Sequence, residues 1–575
     1  MPRAFALLIL AAVVTLTVPA AAQTYTVGDT LTVIQKPLPN LPSIVRPGDT
    51  LTIGCDAPSS AGNWTATLVR GALEVPLTLT TAVYEPSTLW WRLECAAPEV
   101  PVYDLYDLRV TADGVADDTA RRAVKIVPEF RHDFTIAQIT DIHLPTYLYY
   151  YQNGADTDSS TSMGLRRITE DLNIINPEFV VFTGDLIHEG ELEEYLDKRY
   201  YSRALMHLNE FEVPTYVTAG NHDIGGWDST PPSDGTARRN WWRFFGWKRL
   251  DDPPAGAPAY TQDYSFDYGP IHFTALEAYD NYDGWRFWIY GAESFTSAQM
   301  SWLQSDIAAA GGQSRHVLFH HYDFAGELNL SSLGIDLALW GHVHYDTDDT
   351  TYPMDVGTDN ASGTNRPFRL VRFSGTDIEP LPTLEATYDD KLRVRYLVEP
   401  DGVNAEVSAQ VINGYGATFP RGLLRITMPG GASAYDATGG TLTQVDDSGE
   451  HAVCYVELSI PASGTATVTV TADTTGAVAT PDAPATRLLG AAPNPFNPQT
   501  SISFVLAEPE SVRLTVFDLQ GHHVATLRDA ALPAGRHDVR WDGRTDAGLA
   551  LPSGVYLVGL RAGAYAETRK LVLAR

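Results

Sequence analysis

Between Phe134 and His344, five apolar runs each stop at a short cluster of Asp, Asn or His side chains, and this rhythm narrows the possible folds more than any other feature of the chain. Residues 134–140 lead into Asp141-Ile142-His143, and residues 179–183 into Gly184-Asp185. Residues 213–219 lead into Gly220-Asn221-His222-Asp223. Residues 315–319 end in His320-His321, and residues 335–340 in Gly341-His342-Val343-His344. Segments of helical spacing (162–176, 191–209 and 297–310) separate the runs, which is the pattern of an α/β domain. In such a domain the loops after the strands gather at the carboxyl edge of the sheet, so five polar clusters converge there.

Imidazoles and carboxylates with one amide oxygen and no thiolate suit zinc, manganese or iron better than calcium or copper(I). So many donors point to two ions rather than one. An isolated D-x-H or G-H-x-H reads as a capped turn with solvated histidines, and a lone G-D says little. The ordered set is specific.

With those residues in place, the stretch from about 133 to 375 resembles the calcineurin-like metallophosphoesterases, the superfamily of purple acid phosphatases and cyclic-nucleotide phosphodiesterases. The resemblance implies a four-layer α/β/β/α sandwich. It implies that Asp141, His143 and His344 hold one metal, Asn221, His320 and His342 the second, and Asp185 bridges them. Within the His320-His321 doublet the family pattern favours His320. His222 would face the leaving-group oxygen, with Asp223 orienting its imidazole. The expected activity is hydrolysis of phosphate mono- or diesters by in-line attack of a hydroxide bridging two ions of iron, manganese or zinc. A different class, a cell-surface adhesion or binding protein carrying a relic phosphoesterase domain, would have been favoured by a missing ligand. None is missing.

The remaining histidines His188, His207, His272 and His316 match no motif position and read as ordinary core or surface residues. Tyr147, Tyr149, Tyr150 and Tyr151, with Trp241, Trp242, Trp247, Trp285 and Trp288, are candidates to wall a substrate cleft, although aromatic clusters more often serve packing.

The rest of the 575 residues is organised around this domain. The first 22 have an early Arg3, an apolar run and Ala20-Ala21-Ala22, the layout of a secretory signal. No later stretch approaches 18 uninterrupted apolar residues, so no transmembrane helix is expected after cleavage. Residues 23–128 alternate β-rich runs with Pro, Gly, Asp and Ser turns and read as a β-sandwich. The Cys55, Trp64, Cys95 order there resembles immunoglobulin-like domains, with Leu93 where a tyrosine corner would fall. Three cysteines in an exported chain suit one disulfide, Cys55 to Cys95, with Cys454 a buried apolar side chain. On this reading residues 129–376 are expected to form the metallophosphoesterase-like domain, 377–475 a second β-sandwich, 476–492 a linker, and 493–575 a third all-β module.

That last module, with Pro493-Asn494-Pro495-Phe496-Asn497-Pro498 at its start and Ser553-Gly554-Val555-Tyr556 near its end, resembles type IX secretion sorting domains and the immunoglobulin-like domain of the flagellar hook-capping protein. The resemblance implies a bacterial protein, secreted or held at the cell surface by export or attachment machinery. The formal charge of −31, from 71 acidic and 40 basic residues, repels phosphate backbones and argues against a nucleic-acid scaffold.

Overall fold

The computed structural model describes residues 32–144, 159–188, 200–224, 241, 243–246, 263–277, 295, 297–322, 328–347, 349–363, 365–387, 391–473, 486–492, 496, 499–518, 522–546, 548–563 and 565–573. The chain separates into two compact units, Met1–Thr474 and Thr475–Arg575.

The first unit begins with a β-sandwich of a four-stranded and a five-stranded sheet. The alternating inward and outward residues of Thr50–Cys55 and Gly62–Arg70 supply the apolar faces that pack Leu51, Ile53, Leu68, Leu93 and Leu108 into one core. A tyrosine corner is present, but at Tyr106, whose buried hydroxyl donates to the Val102 carbonyl four residues back. Leu93 is a core residue paired with Ile53.

The expected Cys55–Cys95 disulfide is not formed; both thiols are free and buried, as is Cys454. Register is the reason. The two strands are hydrogen-bonded neighbours in which Cys95 faces Leu51 and Cys55 faces Trp91. An offset of four residues along a strand is about 13 Å, beyond the roughly 7 Å that a disulfide spans between Cα atoms.

Two sheets form the α/β domain. In one, the parallel strands Thr215–Thr218, Val180–Thr183 and Asp133–Ile139 lie side by side, and Pro367–Ser374 and Asp377–Pro380 add antiparallel at the edge. In the other, Ile271–Ala275, Arg315–Phe319, Leu337–Trp340 and Met354–Gly357 run parallel, with Tyr264–Tyr268 antiparallel to the first. The short strands Val180–Thr183, Thr215–Thr218 and Leu337–Trp340 that lead to the site are buried at every position, as strands covered on both faces are. Phe134, Phe179 and Tyr216 of the first sheet pack against Phe273, Val317 and Leu339 of the second. The helix Ser159–Ile175 supplies Leu165, Ile168 and Leu172 to a separate core over the first sheet. Leu303 and Leu330 from helices Ser297–Ala309 and Leu330–Leu333 cover Leu318 and Ala338 of the second. Gln138 ties the sheets together by donating to the Trp340 carbonyl at 2.9 Å.

The second sandwich, of a four-stranded and a three-stranded sheet between Leu392 and Asp473, shares its core with the Ser159–Ile175 helix. A polar knot joins all three parts. Asp104 of the first sandwich takes Arg70 and Lys125 at 3.1 Å each, the Tyr455 hydroxyl at 2.7 Å, and Arg425 at 3.8 Å. Arg70 also pairs with Asp446, and Arg425 with Glu212 beside the α/β core. Although burial opposes ionisation, Lys125, Arg425 and Arg70 hold the Asp104 carboxyl down at about 2.

The second unit is a sandwich of a three-stranded and a four-stranded sheet around Phe504, Leu514, Val558 and Leu571. Its Tyr556 hydroxyl donates to the Pro552 carbonyl at 2.9 Å, the same four-residue reach as Tyr106. Among the described residues no helix is long and apolar enough to cross a membrane.

Candidate metal centre

The five parallel strand ends arrive at one edge, and the side chains that follow them meet. Asp141 and His143 leave the strand Asp133–Ile139, and Asp185 leaves Val180–Thr183. Asn221, His222 and Asp223 occupy a single helical turn, Asn221–Ile224. The His320-His321 doublet follows Arg315–Phe319, and His342 and His344 follow Leu337–Trp340.

Backbone strain concentrates here. Of eleven described non-glycine residues at positive φ, five are Asp141, His143, Asp185, His342 and His344, at 51° to 69°. Such conformations are uncommon outside glycine and persist where surrounding contacts impose them. Gly184 shares the conformation, at φ 88°, and a Cβ there would stand 2.5 Å from the His321 ring. At Gly220 a Cβ would meet the Asp185 carboxylate at 2.3 Å, so both positions require glycine.

The Asp185 carboxylate lies at the middle. Its Oδ2 is 3.1 Å from His321 Nε2, 3.9 Å from His143 Nε2 and 4.0 Å from His222 Nε2, while Oδ1 accepts the His222 backbone N–H at 2.9 Å. Asp141 Oδ1 faces His344 Nε2 at 3.2 Å and His143 Nε2 at 3.8 Å. Its Oδ2 accepts from Thr140 and from the His342 backbone. Two groups have donor atoms that all approach within 4.8 Å of one another: Asp141, His143 and His344, and Asp185, His321 and His342. The Asn221 amide oxygen lies 3.1 Å from His321 Nε2.

The doublet is therefore read the other way round. His321 points to the centre, its Nδ1 held by the Thr183 carbonyl at 2.7 Å. His320 faces the opposite side, toward Phe295 of the helix-covered core, with ring centroids 6.0 Å apart. Successive residues of an extended segment face opposite ways, so only one imidazole of an adjacent pair can reach a given site.

Asp223 also departs from expectation. It does not orient His222. Its carboxylate accepts the backbone N–H groups of Gly220 (2.8 Å), Ile187 (3.0 Å) and Leu186 (3.3 Å), tying the Asn221 turn to the loop behind Asp185. The partner of His222 Nδ1 is the carbonyl of His188. His188 is a buried member of the site, its Nδ1 3.4 Å from His143 Nδ1, and its atoms form a third close group with His143 and His222. Sequence reasoning passed over it because no motif marks it, although it follows Asp185 by three residues.

Electrostatics fit a cationic occupant. Asp141 and Asp185 are 0% and 1% exposed, and carboxylates so buried require positive charge nearby. Against the cost of burial, His321 and His222 hold Asp185 well below the usual carboxylate range. Burial opposes charge on His321 too, yet Asp185 and Asp141 push it up to about 9. Its proton stands where a cation would, and a metal would have to displace it. Burial, reinforced by His222 for His143 and by His321 for His342, pushes His143 well down and His342 to about 4. Both are thus neutral, the ligating form.

Of the aromatic residues proposed as a cleft wall, Trp241 is fully buried against Phe245 and Tyr201 and belongs to the core. Trp242, Trp247, Trp285, Trp288, Tyr147, Tyr149, Tyr150 and Tyr151 lie outside the described residues. His207, His272 and His316 are away from the centre; His272 bridges Asp267 and Asp306.

Residues 134–346 match the family model of the calcineurin-like phosphoesterases, and residues 492–564 that of the FlgD Ig-like domain. The chain thus contains a calcineurin-like phosphoesterase domain and a FlgD Ig-like domain. A 3',5'-cyclic-nucleotide phosphodiesterase of Nostoc sp. is 35% identical over 91 residues, 16% of this chain. The matched stretch spans 30% of that protein's length. Among solved structures, a purple acid phosphatase from yellow lupin (Lupinus luteus) seeds aligns at 10% identity and TM-score 0.34, covering 64% of this chain and 70% of that one. A dimetal phosphatase from Danio rerio aligns at 16% identity and TM-score 0.33, covering 44% of this chain and 99% of that one.

Proposed function

We propose that the chain is a secreted two-metal phosphoesterase acting on phosphate mono- or diesters. The observation that carries this reading is the meeting of imidazoles from separate strand ends around the single buried Asp185 Oδ2. In this reading Asp141, His143 and His344 hold one ion, Asn221, His321 and His342 the other, and Asp185 lies between. Two such ions, iron, manganese or zinc, would supply hydroxide near neutral pH for in-line attack and neutralise charge on the phosphate oxygens. His222 is the candidate to hold or move a proton at the leaving-group oxygen. With Nδ1 given to the His188 carbonyl, its Nε2 faces the centre. Asp223 keeps the Asp185 loop in place. The layering of helices outside two packed sheets is consistent with an α/β/β/α sandwich.

Export through residues 1–22 and sorting or surface attachment through residues 493–575 complete the proposal, the latter supported by the FlgD Ig-like match. The test is incubation of the purified protein with p-nitrophenyl phosphate and bis(p-nitrophenyl) phosphate, with manganese or with chelator. Metal-dependent release of nitrophenol from either ester is expected. Protein that retains two equivalents of metal and cleaves neither would be a binder, and the proposal would fall.

A further inference from the structure

His188 touches two site imidazoles in two different ways. The pairing between the first two strands continues past their ends: His143 donates its backbone N–H to the Asp185 carbonyl, Leu144 to that of Leu186, and His188 to that of Leu144, each at 2.9 Å. His188 is therefore locked by main chain to the segment that carries His143. Its ring Nδ1 then lies 3.4 Å from His143 Nδ1, while His143 Nε2 faces the other way, toward His344 Nε2 at 3.4 Å and the Asp141 and Asp185 carboxylates. The same ring stacks on His222, centroids 5.0 Å apart and planes inclined by 19°, and the carbonyl of His188 receives His222 Nδ1–H.

We infer that His188 is a positioning residue for the centre: its ring accepts the Nδ1 proton of His143, its carbonyl accepts that of His222, and both imidazoles are thereby turned with Nε2 inward. The inference rests on the two-metal reading. A histidine that gives one nitrogen to a metal needs an acceptor for the proton on the other, and that acceptor sets ring orientation and ligand basicity. The close group of His143, His188 and His222 is taken in this inference as a hydrogen-bonded set, with His143 Nδ1 facing His188 Nδ1 at 3.4 Å and His222 Nδ1 facing the His188 carbonyl.

The two contacts separate by substitution. His188→Phe preserves a flat ring against His222 and the backbone carbonyl but removes the acceptor for His143. His188→Asn places an amide oxygen near the lost Nδ1. Metal-free wild type and variants would be titrated with Co²⁺, following the visible absorption of bound cobalt and the stoichiometry. His188→Phe is expected to weaken one of two Co²⁺ sites about 10- to 100-fold and leave the other unchanged, and His188→Asn to recover most of the loss. Should His188→Phe fail to fold, His188→Ala against His188→Asn carries the same contrast. Unchanged affinity at both sites, equal weakening of both, or loss of a third equivalent of cobalt would each overturn the inference. Wild-type protein that binds two Co²⁺ yet cleaves neither ester would sink the proposed activity while leaving the affinity contrast intact. Wild-type protein that takes up no Co²⁺ would overturn both.

Discussion

His321 Nε2 lies 3.1 Å from Asp185 Oδ2, and this contact assigns the second imidazole of the doublet, not the first, to the centre. His321→Ala is expected to lose at least one equivalent of metal and to slow ester hydrolysis more than about a hundredfold. His320→Ala, a truncation in a packed interior, should instead lower stability by about 2–4 kcal/mol and leave metal content unchanged. Elemental analysis and thermal melting of both variants distinguish the two positions; metal loss in His320→Ala alone would reverse the assignment.

Asp185 has no substitute, because each of its oxygens serves different partners. Asp185→Asn keeps the shape but loses the charge that opposes two cations. Metal retention and turnover should fall together. Full activity with a full metal complement in this variant would contradict the central role given to the carboxylate.

Asp223 holds three backbone N–H groups. Asp223→Ala orphans them in a dry interior at roughly 1–3 kcal/mol each before relaxation. A net loss near 3 kcal/mol in urea denaturation is expected, with weaker metal binding because the Asp185 loop loosens. If Asp223 acted only by orienting His222, stability would stay within about 0.5 kcal/mol of wild type.

The Asp104 knot makes a pH prediction. A carboxyl held near 2 in the folded chain and near 4 when unfolded adds stability that is present above pH 4 and disappears as pH falls through 2. Asp104→Asn should cost about 3–5 kcal/mol at pH 7, since several cations lose their shared partner. Melting curves of the two proteins should draw together from pH 4 downward and converge only below about pH 2.

Cys55 and Cys95 should both be free. Non-reducing mass analysis of the unfolded chain is expected to find three alkylatable thiols without reductant. One thiol instead of three would mean that the strand register between these cysteines is wrong.

Much of the site was legible in order, because apolar runs followed by polar clusters mark the carboxyl ends of parallel strands whatever their neighbours. What was not legible depended on register and facing. Whether His320 or His321 turns inward is settled by where the strand lets the chain go. The four-residue stagger of Cys55 and Cys95 leaves no trace in their spacing along the chain. His188 could not be found from motifs because its partners come from a loop pairing that continues beyond the strands. Likewise Tyr106 made the corner that the position of Leu93 had suggested was missing.

Arg70, Glu212 and Arg425 come from three successive parts of the chain, and one carboxylate, Asp104, gathers their charges into a single network. The chemistry is consequently not a cassette. A gene fragment trimmed to the α/β segment would strand Glu212 without its guanidinium and strip the Ser159–Ile175 helix of the sandwich that covers it. A stable expression fragment is therefore expected to span residues 32–473 as one block.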